Sequence, residues 1–80
     1  MTVRVLLFAS YADAFGTNEL ALEVPDGARV RDVVDRVRGM GGRHALPPLP
    51  MVAVNSVYAK ADTAVATGDE VAIIPPVAGG

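Results

Sequence analysis

Apolar and polar positions alternate with period two at both ends of the chain and shift to a helical period in the middle. Residues 2–9 put Val3, Val5 and Leu7 on one side of an extended chain and Arg4, Leu6 and Phe8 on the other. The first side reads as core. The second is only partly polar, which is unusual for a face left to water. Residues 10–15 read as a short helix, with Ser10 placed to accept from the Asp13 N–H, Asp13 acidic in the first turn, and Gly16 as the stop. Residues 19–24 alternate again, with Leu20, Leu22 and Val24 on one side, and predict a strand antiparallel to the first; Pro25-Asp26-Gly27 then turns the chain. In residues 29–40, Val30, Val33, Val34 and Val37 fall at i, i+3, i+4 and i+7, the stripe of an amphipathic helix. Valine is a poor helix former, so packing of this stripe must hold the helix. Arg31–Asp35 and Asp32–Arg36 are expected to pair on its outer face, Asp26 is the best polar candidate for its cap, and Gly39, Gly41 and Gly42 end it.

Residues 41–50 form a Gly/Pro-rich loop. A third strand follows at 51–54, turned by Asn55-Ser56 into a short return strand at 57–60. A connector over 61–67, anchored by Val65, leads to the Gly68-Asp69 turn and a last strand at 70–74. The order β, short α, β, α, β, β, β predicts one sheet with a helix across one face, an α+β fold of about five strands. A helical crossover joins parallel strands, so the first and last strands are expected side by side at the centre. The domain then spans residues 1–74, and residues 75–80 form a C-terminal tail.

That tail is the candidate site. Pro75 and Pro76 hold the backbone extended, and Val77 and Ala78 lead to Gly79 and Gly80, which carry no side chain and pass where any Cβ would clash. The stalk is stiff, its tip is thin, and a carboxylate ends it. Phe8, Tyr58 and Ile74 are candidates for one exposed apolar patch near its base, the kind of patch that marks a partner site.

Composition narrows the chemistry. The 51% apolar content supports a packed core, although a chain of 80 residues buries only about 60% of its extended surface. Net charge is −2, and the arginines at 29, 31, 36 and 38 are interleaved with Asp32 and Asp35, so nucleic acid is a poor partner. The absence of cysteine removes disulfides, thiol catalysis and thiolate metal sites. His44 alone makes no metal site and reads as a solvated loop residue, and Gly-Gly-Arg-His lacks the lysine and the strand–loop–helix setting of a phosphate loop. No apolar run approaches the roughly 20 residues of a membrane span, and no signal-peptide pattern opens the chain, so a cytoplasmic protein is expected.

Several segments carry a resemblance: Val5-Leu6-Leu7-Phe8-Ala9 followed by a short helix and Gly16; Val52-Ala53-Val54-Asn55; Gly68-Asp69-Glu70-Val71; and Pro75-Pro76-Val77-Ala78-Gly79-Gly80. Together they resemble the ubiquitin-like β-grasp sulfur carriers, and among them the small subunits of molybdopterin synthase, across essentially the whole chain. Two positions depart from the pattern. Tyr11-Ala12-Asp13 stands where an Arg-Glu pair is common, and Arg29 stands where a Thr cap is common. The resemblance implies a β-grasp fold and a non-catalytic, sulfur-donating subunit. The carboxylate of Gly80, ionised with a pKa near ~3.5, is a poor electrophile. In the family an E1-like adenylyltransferase activates it with ATP, and a sulfur donor protein converts the adenylate to a thiocarboxylate. The large synthase subunit, in a complex of two small and two large chains, then uses that sulfur on cyclic pyranopterin monophosphate. The resemblance implies no cofactor bound by the carrier itself. Phe8, Tyr58, Ile74, Pro75, Pro76, Val77, Ala78 and Gly79 are the expected partner contacts. Sulfur delivery to thiamin, cysteine or another product, a ubiquitin-like protein modifier joined through Gly80, and a plain binding module remain open as alternatives.

Overall fold

The computed structural model describes residues 1–41, 46–47 and 50–76; His44, Pro48 and the tail residues Val77, Ala78, Gly79 and Gly80 lie outside that set. The elements run in the expected order: β1 (Thr2–Leu7), α1 (Ala9–Phe15), β2 (Glu19–Glu23), α2 (Val30–Gly41), β3 (Met51–Val54), β4 (Val57–Ala59) and β5 (Glu70–Ile74). They build one mixed sheet in the order β2-β1-β5-β3-β4. β1 and β5 pair in parallel at its centre, with Val5 beside Val71 and Leu7 beside Ile73. β2 lies antiparallel to β1, and β3 antiparallel to both β4 and β5.

One face of the sheet carries the core. Val3, Val5 and Leu7 of β1, Leu22 of β2, Val52 of β3, and Val71 and Ile73 of β5 meet the α2 stripe Val30, Val33, Val34 and Val37, and no buried residue among those described is polar or charged. The valines that disfavour an isolated helix therefore form its contact surface, and burial outweighs propensity. Val24, Ala28, Leu46 and Val65 close the edges of this cluster.

Three local expectations are corrected by the backbone. Ser10 does not cap α1. The chain leaves β1 at Phe8, which is still extended, and turns sharply at Ala9, which has φ 49°. The helix thus starts at Ala9, the Phe8 carbonyl accepts from the Tyr11 N–H at 3.0 Å, and Asp13 falls beyond the first turn. Gly16 does end α1 in the left-handed region, at φ 72°.

Asp26 does not cap α2; it is exposed and lies 3.8 Å from the N-terminal ammonium. The first amides of α2 find acceptors in the connector instead. Val30 N–H donates to the Thr63 carbonyl and Arg31 N–H to the Ala61 carbonyl, both at 2.9 Å. The Arg29 guanidinium reinforces this with a 2.7 Å bond to the Asp62 carbonyl, and Asp32 accepts from the Arg29 N–H. The third correction concerns the outer face. Asp35 pairs with Arg38 at 3.0 Å, and the Arg31–Asp35 and Asp32–Arg36 pairs are not among the ion pairs of the described residues. Asp32 is turned toward its own helix start, and the exposed i,i+4 geometry offers only a few tenths of a kcal/mol to hold two long side chains together.

Asn55 ties the β3–β4 hairpin to the turn before β5. Its backbone adopts φ 50°, its side-chain amide donates to Asp69 Oδ1 at 3.0 Å, and its Oδ1 accepts from the Glu70 N–H at 3.0 Å. Asp69 Oδ2 in turn accepts from the Ala66 N–H at 2.7 Å. The Gly68-Asp69-Glu70 motif and Asn55 are therefore two halves of one clamp, with Gly68 supplying the φ of 83° that the turn requires.

Ile73 is fully buried at the centre of this arrangement. Ile73→Ala is expected to lower unfolding free energy by about 2–5 kcal/mol, read as a shift in urea midpoint at unchanged slope. A second expectation concerns Tyr11, whose burial pushes its phenol above the ordinary value of 10.0. The folded chain keeps the phenol neutral where the unfolded chain ionises it. That contribution is intact below pH 10.0 and is lost as pH rises through the folded-state value. Urea unfolding from about pH 9 to about pH 11 should show stability falling at the alkaline end, and Tyr11→Phe should flatten that fall.

Candidate functional site

The sheet face turned away from α2 carries the site, and strand alternation decides what it presents. In β1 the residues between the buried ones are Thr2, Arg4 and Leu6, and Phe8 continues the series in extended conformation. In β5 they are Glu70, Ala72 and Ile74. The registers place Leu6 beside Ala72, Ala72 beside Ala53, and Ala53 beside Tyr58, which makes an apolar row across four strands. Ile74 sits beside Met51 one step further along, and Phe8 falls level with it on the other side. The three residues expected as a patch therefore do share one face, at the end of the sheet where β5 finishes.

Exposure is high for a surface of this composition. Phe8 is 44% exposed, Met51 51% and Tyr58 71%, while Ile74 is half-buried. A shallow hollow beside Phe8, lined by Leu6, Ala9, Ala12, Asn18 and Glu19, continues the face toward α1. Met51 was not singled out from the sequence. Its signal was present in the alternation of residues 51–54, where Val52 faces the core and Met51 must face the other way. Val57, also exposed, pairs with Val54 and so belongs to the opposite face.

Charge on this face lies toward the start of β5 and along the β2 edge, where Glu19 stands beside Leu6. Arg4 pairs with Glu19 at 3.3 Å, the Thr2 hydroxyl donates to Glu23, and Glu70 stands beside Arg4 in the register. The face is thus graded along the strands, polar at the start of β5 and apolar at its end. Pro75 is half-buried and Pro76 is exposed just beyond Ile74, so the backbone emerges at the apolar end. Among the described residues no group of His, Cys, Asp or Glu could hold a metal ion. No helix among them is long and apolar enough to cross a membrane. The positions at the apolar end carry hydrocarbon and one phenol, with no carboxylate–imidazole or carboxylate pair. Such a surface can bind and orient; the reactive group expected from the sequence, the Gly80 carboxylate, lies outside the described residues.

A mixed sheet with parallel first and last strands at its centre, one long helix across it and a short helix after the first strand is a ubiquitin-like β-grasp. Within that class, the sequence profile of the ThiS family matches residues 5–80, and the chain belongs to that family. It is 36% identical over 88 residues, spanning all of both chains, to a molybdopterin synthase sulfur carrier subunit of Chlamydomonas reinhardtii. It is 32% identical over 79 residues to the one of Arabidopsis thaliana, covering 98% of this chain and 82% of the relative. Among solved structures, SAMP1 of Haloferax volcanii superposes with a TM-score of 0.85 at 30% identity over the full length of both chains. The BexX/CysO complex of Amycolatopsis orientalis matches with a TM-score of 0.66 at 27% identity, over 98% of this chain and 99% of that one. The complex of subunits 1 and 2 of molybdopterin-converting factor from Helicobacter pylori, at 20% identity and a TM-score of 0.71 over all of both chains, shares the fold.

Because Met51 and Tyr58 are exposed, they contribute little to the folded state on their own. The double variant Met51→Ala/Tyr58→Ala is expected to change unfolding free energy by less than about 1 kcal/mol in urea denaturation. A larger loss would mean that the two side chains stabilise the domain rather than serve a surface.

Proposed function

We propose that this chain is the sulfur carrier of molybdopterin synthesis, a covalent reagent presented on a folded base. The observation that carries the reading is the full-length likeness to a molybdopterin synthase sulfur carrier subunit, with Gly79-Gly80 inside the stretch that matches the ThiS family. In this reading a carboxylate oxygen of Gly80 attacks the α-phosphorus of ATP in an E1-like enzyme, pyrophosphate leaves, and an acyl adenylate forms. Sulfide supplied by a donor protein displaces AMP and leaves a thiocarboxylate. The sulfur then attacks cyclic pyranopterin monophosphate inside the large synthase subunit, and hydrolysis returns the carboxylate. This chain contributes the nucleophile and its placement, which turns a bimolecular encounter into a reaction within a complex. It holds no cofactor of its own, ATP being used by the activating enzyme, and its setting is the cytoplasm.

The apolar end of the sheet supports this division of labour. Phe8, Met51 and Ile74 lie level where Pro75 and Pro76 leave the sheet, with Tyr58 one step back, so a partner seated on them lies beside the start of the tail. The same surface would serve the activating enzyme and the large subunit in turn, because each needs the tail in its own active site. Resemblance to SAMP1, a small archaeal modifier protein, favours a second reading, in which Gly80 is joined to lysines of other proteins. Both readings share the adenylation step and differ in what attacks the adenylate.

Incubation with ATP, an activating enzyme and a sulfur donor should yield a chain heavier by the difference between one sulfur and one oxygen. Deleting Gly79-Gly80 should abolish that product while leaving the urea midpoint unchanged. A ladder of conjugates without a thiocarboxylate would instead establish the modifier. Phe8→Ala/Ile74→Ala should weaken binding to both the activating enzyme and the large subunit by about tenfold or more, measured by calorimetry, with the fold retained. Unchanged affinity for both would remove the apolar face from the mechanism.

A further inference from the structure

β4 is the outer strand of the sheet on the β3 side, and its residues leave it unprotected. Edge strands are ordinarily blunted by charge, by proline or by a bulge. Val57, Tyr58 and Ala59 bring neither charge nor proline. Val57 and Tyr58, at 68% and 71%, are the most exposed large apolar side chains among the described residues.

The ladder shows which backbone groups stay open. Asn55 N–H donates to the Glu70 carbonyl at 2.8 Å, so Asn55, Ala53 and Met51 aim their backbones at β5, and Val54 and Val52 aim theirs at β4. Their partners Val57 and Ala59 are thereby engaged, while Tyr58 turns its N–H and carbonyl away from the sheet. The next outward position, Lys60, is already closed. Its N–H donates to Thr63 Oγ1 at 3.1 Å, and its carbonyl accepts from the Thr63 N–H at 3.0 Å. The donor and acceptor of Tyr58 therefore remain for a strand laid alongside.

Space for the side chains of such a strand lies next to it. On the α2 side a hollow of about 150 Å³ opens between Val30, Arg31, Val34 and Asp35 of the helix and Ala59 and Ala61. It exists because two alanines stand where the sheet reaches past the helix, and an apolar cavity of this volume holds a benzene ring, so one leucine-sized side chain fits. A second hollow opens beside Met51 and Tyr58, which belong to the open face. Successive side chains of an added strand point to alternate faces, one toward each hollow. Charge at the first hollow is one-sided. Asp35 is paired with Arg38 at 3.0 Å, whereas Arg31 makes no ion pair among the described residues.

We propose that β4 is a docking edge for an extended, acidic–apolar segment of a partner protein. The segment pairs its backbone with Tyr58, sets a leucine-sized side chain in the hollow beside Ala59, lays a second apolar side chain against Val57, and brings a carboxylate to Arg31. In an antiparallel pairing the residue facing Ala59 precedes the one facing Val57. Arg31 lies beyond Ala59, its N–H donating to the Ala61 carbonyl at 2.9 Å, so the acidic residue comes before both. A second copy of this chain fits less well. Paired about Tyr58, it would put Val57 in the hollow but Ser56 and Asn55, not a carboxylate, toward Arg31.

The test is an NMR titration of the full chain with the peptide acetyl-Glu-Glu-Leu-Thr-Val-Thr-amide. The amide signals of Arg31, Val34, Val57, Tyr58, Ala59 and Ala61 should shift, and the Tyr58 amide should exchange about tenfold slower at saturation. N-methylating the first threonine, the donor to the Tyr58 carbonyl, should abolish that slowing. Replacing both glutamates by lysine should weaken binding about fivefold, and Arg31→Glu, with an unchanged urea midpoint, should invert the preference. No shift at these residues with about 1 mM peptide, or equal affinity for the two peptides, would overturn the proposal. Slow exchange at Tyr58 that needs no peptide and grows with protein concentration would overturn it in favour of a second copy. Gly80 takes no part in the probe or its readout, so failure here leaves the sulfur-carrier reading untouched.

Discussion

The parallel ladder between β1 and β5 joins the two strands most distant in the sequence, and the other elements take their places from it. Val5 and Val71 meet within it and Leu7 and Ile73 at its end, all fully buried, and α2 lies over them. β2 extends the sheet from β1 on one side, while β3 and β4 extend it from β5 on the other. Because a parallel pair needs a long crossover, the intervening chain has to arch over one face, and α2 fills that requirement. One face is thus committed to core and the other remains open. The strand that leads to the tail is flanked on both sides by hydrogen-bonded neighbours, so the backbone leaves the domain from its most constrained part.

Much of this was legible in the residues. The period-two alternation of residues 2–7 and 70–74, and the valine stripe of α2, fixed the buried positions because a slip of one residue would have turned the core side chains toward water. The apolar character of Leu6, Phe8 and Ile74 on the nominally exposed side pointed to the open face as a surface with a use. What the sequence did not disclose were contacts between segments far apart. Nothing near residue 29 announces that the amides of α2 will be satisfied by carbonyls at 61 and 63, and Asp26 looked the better cap because only local residues were in view. Ser10 failed as a cap for a related reason. The sharp turn at Ala9 starts the helix before the serine is reached. Met51 was passed over because a methionine at the start of an apolar strand reads as core until the register shows which side it takes.

The graded face brings these threads together. Along β1 and β5 the same surface passes from charged residues to aromatic and aliphatic ones, and the chain leaves β5 at the aliphatic end. A partner bound there would find orientation in the asymmetry: rotating it by half a turn would bring hydrocarbon onto Arg4, Glu23 and Glu70. Specificity of pose then follows from the cost of placing charge against an apolar surface. The Asn55–Asp69 clamp matters to this surface, because it fixes the hairpin that carries Met51 and Tyr58 to the strand that carries Ile74.

The dependence of α2 on the carbonyls of Ala61 and Thr63 also has a consequence for how the domain comes apart. A helix that borrows its first acceptors from a segment thirty residues downstream cannot outlast the loss of that segment, and the segment is itself held by Val65 in the core. Fragments lacking either piece would have no stable remnant to retain, and melting should be all-or-none. A protease in the cell would then meet either the whole domain or a chain with no protected part, which makes an intact base and a usable C-terminal end a single property of the molecule.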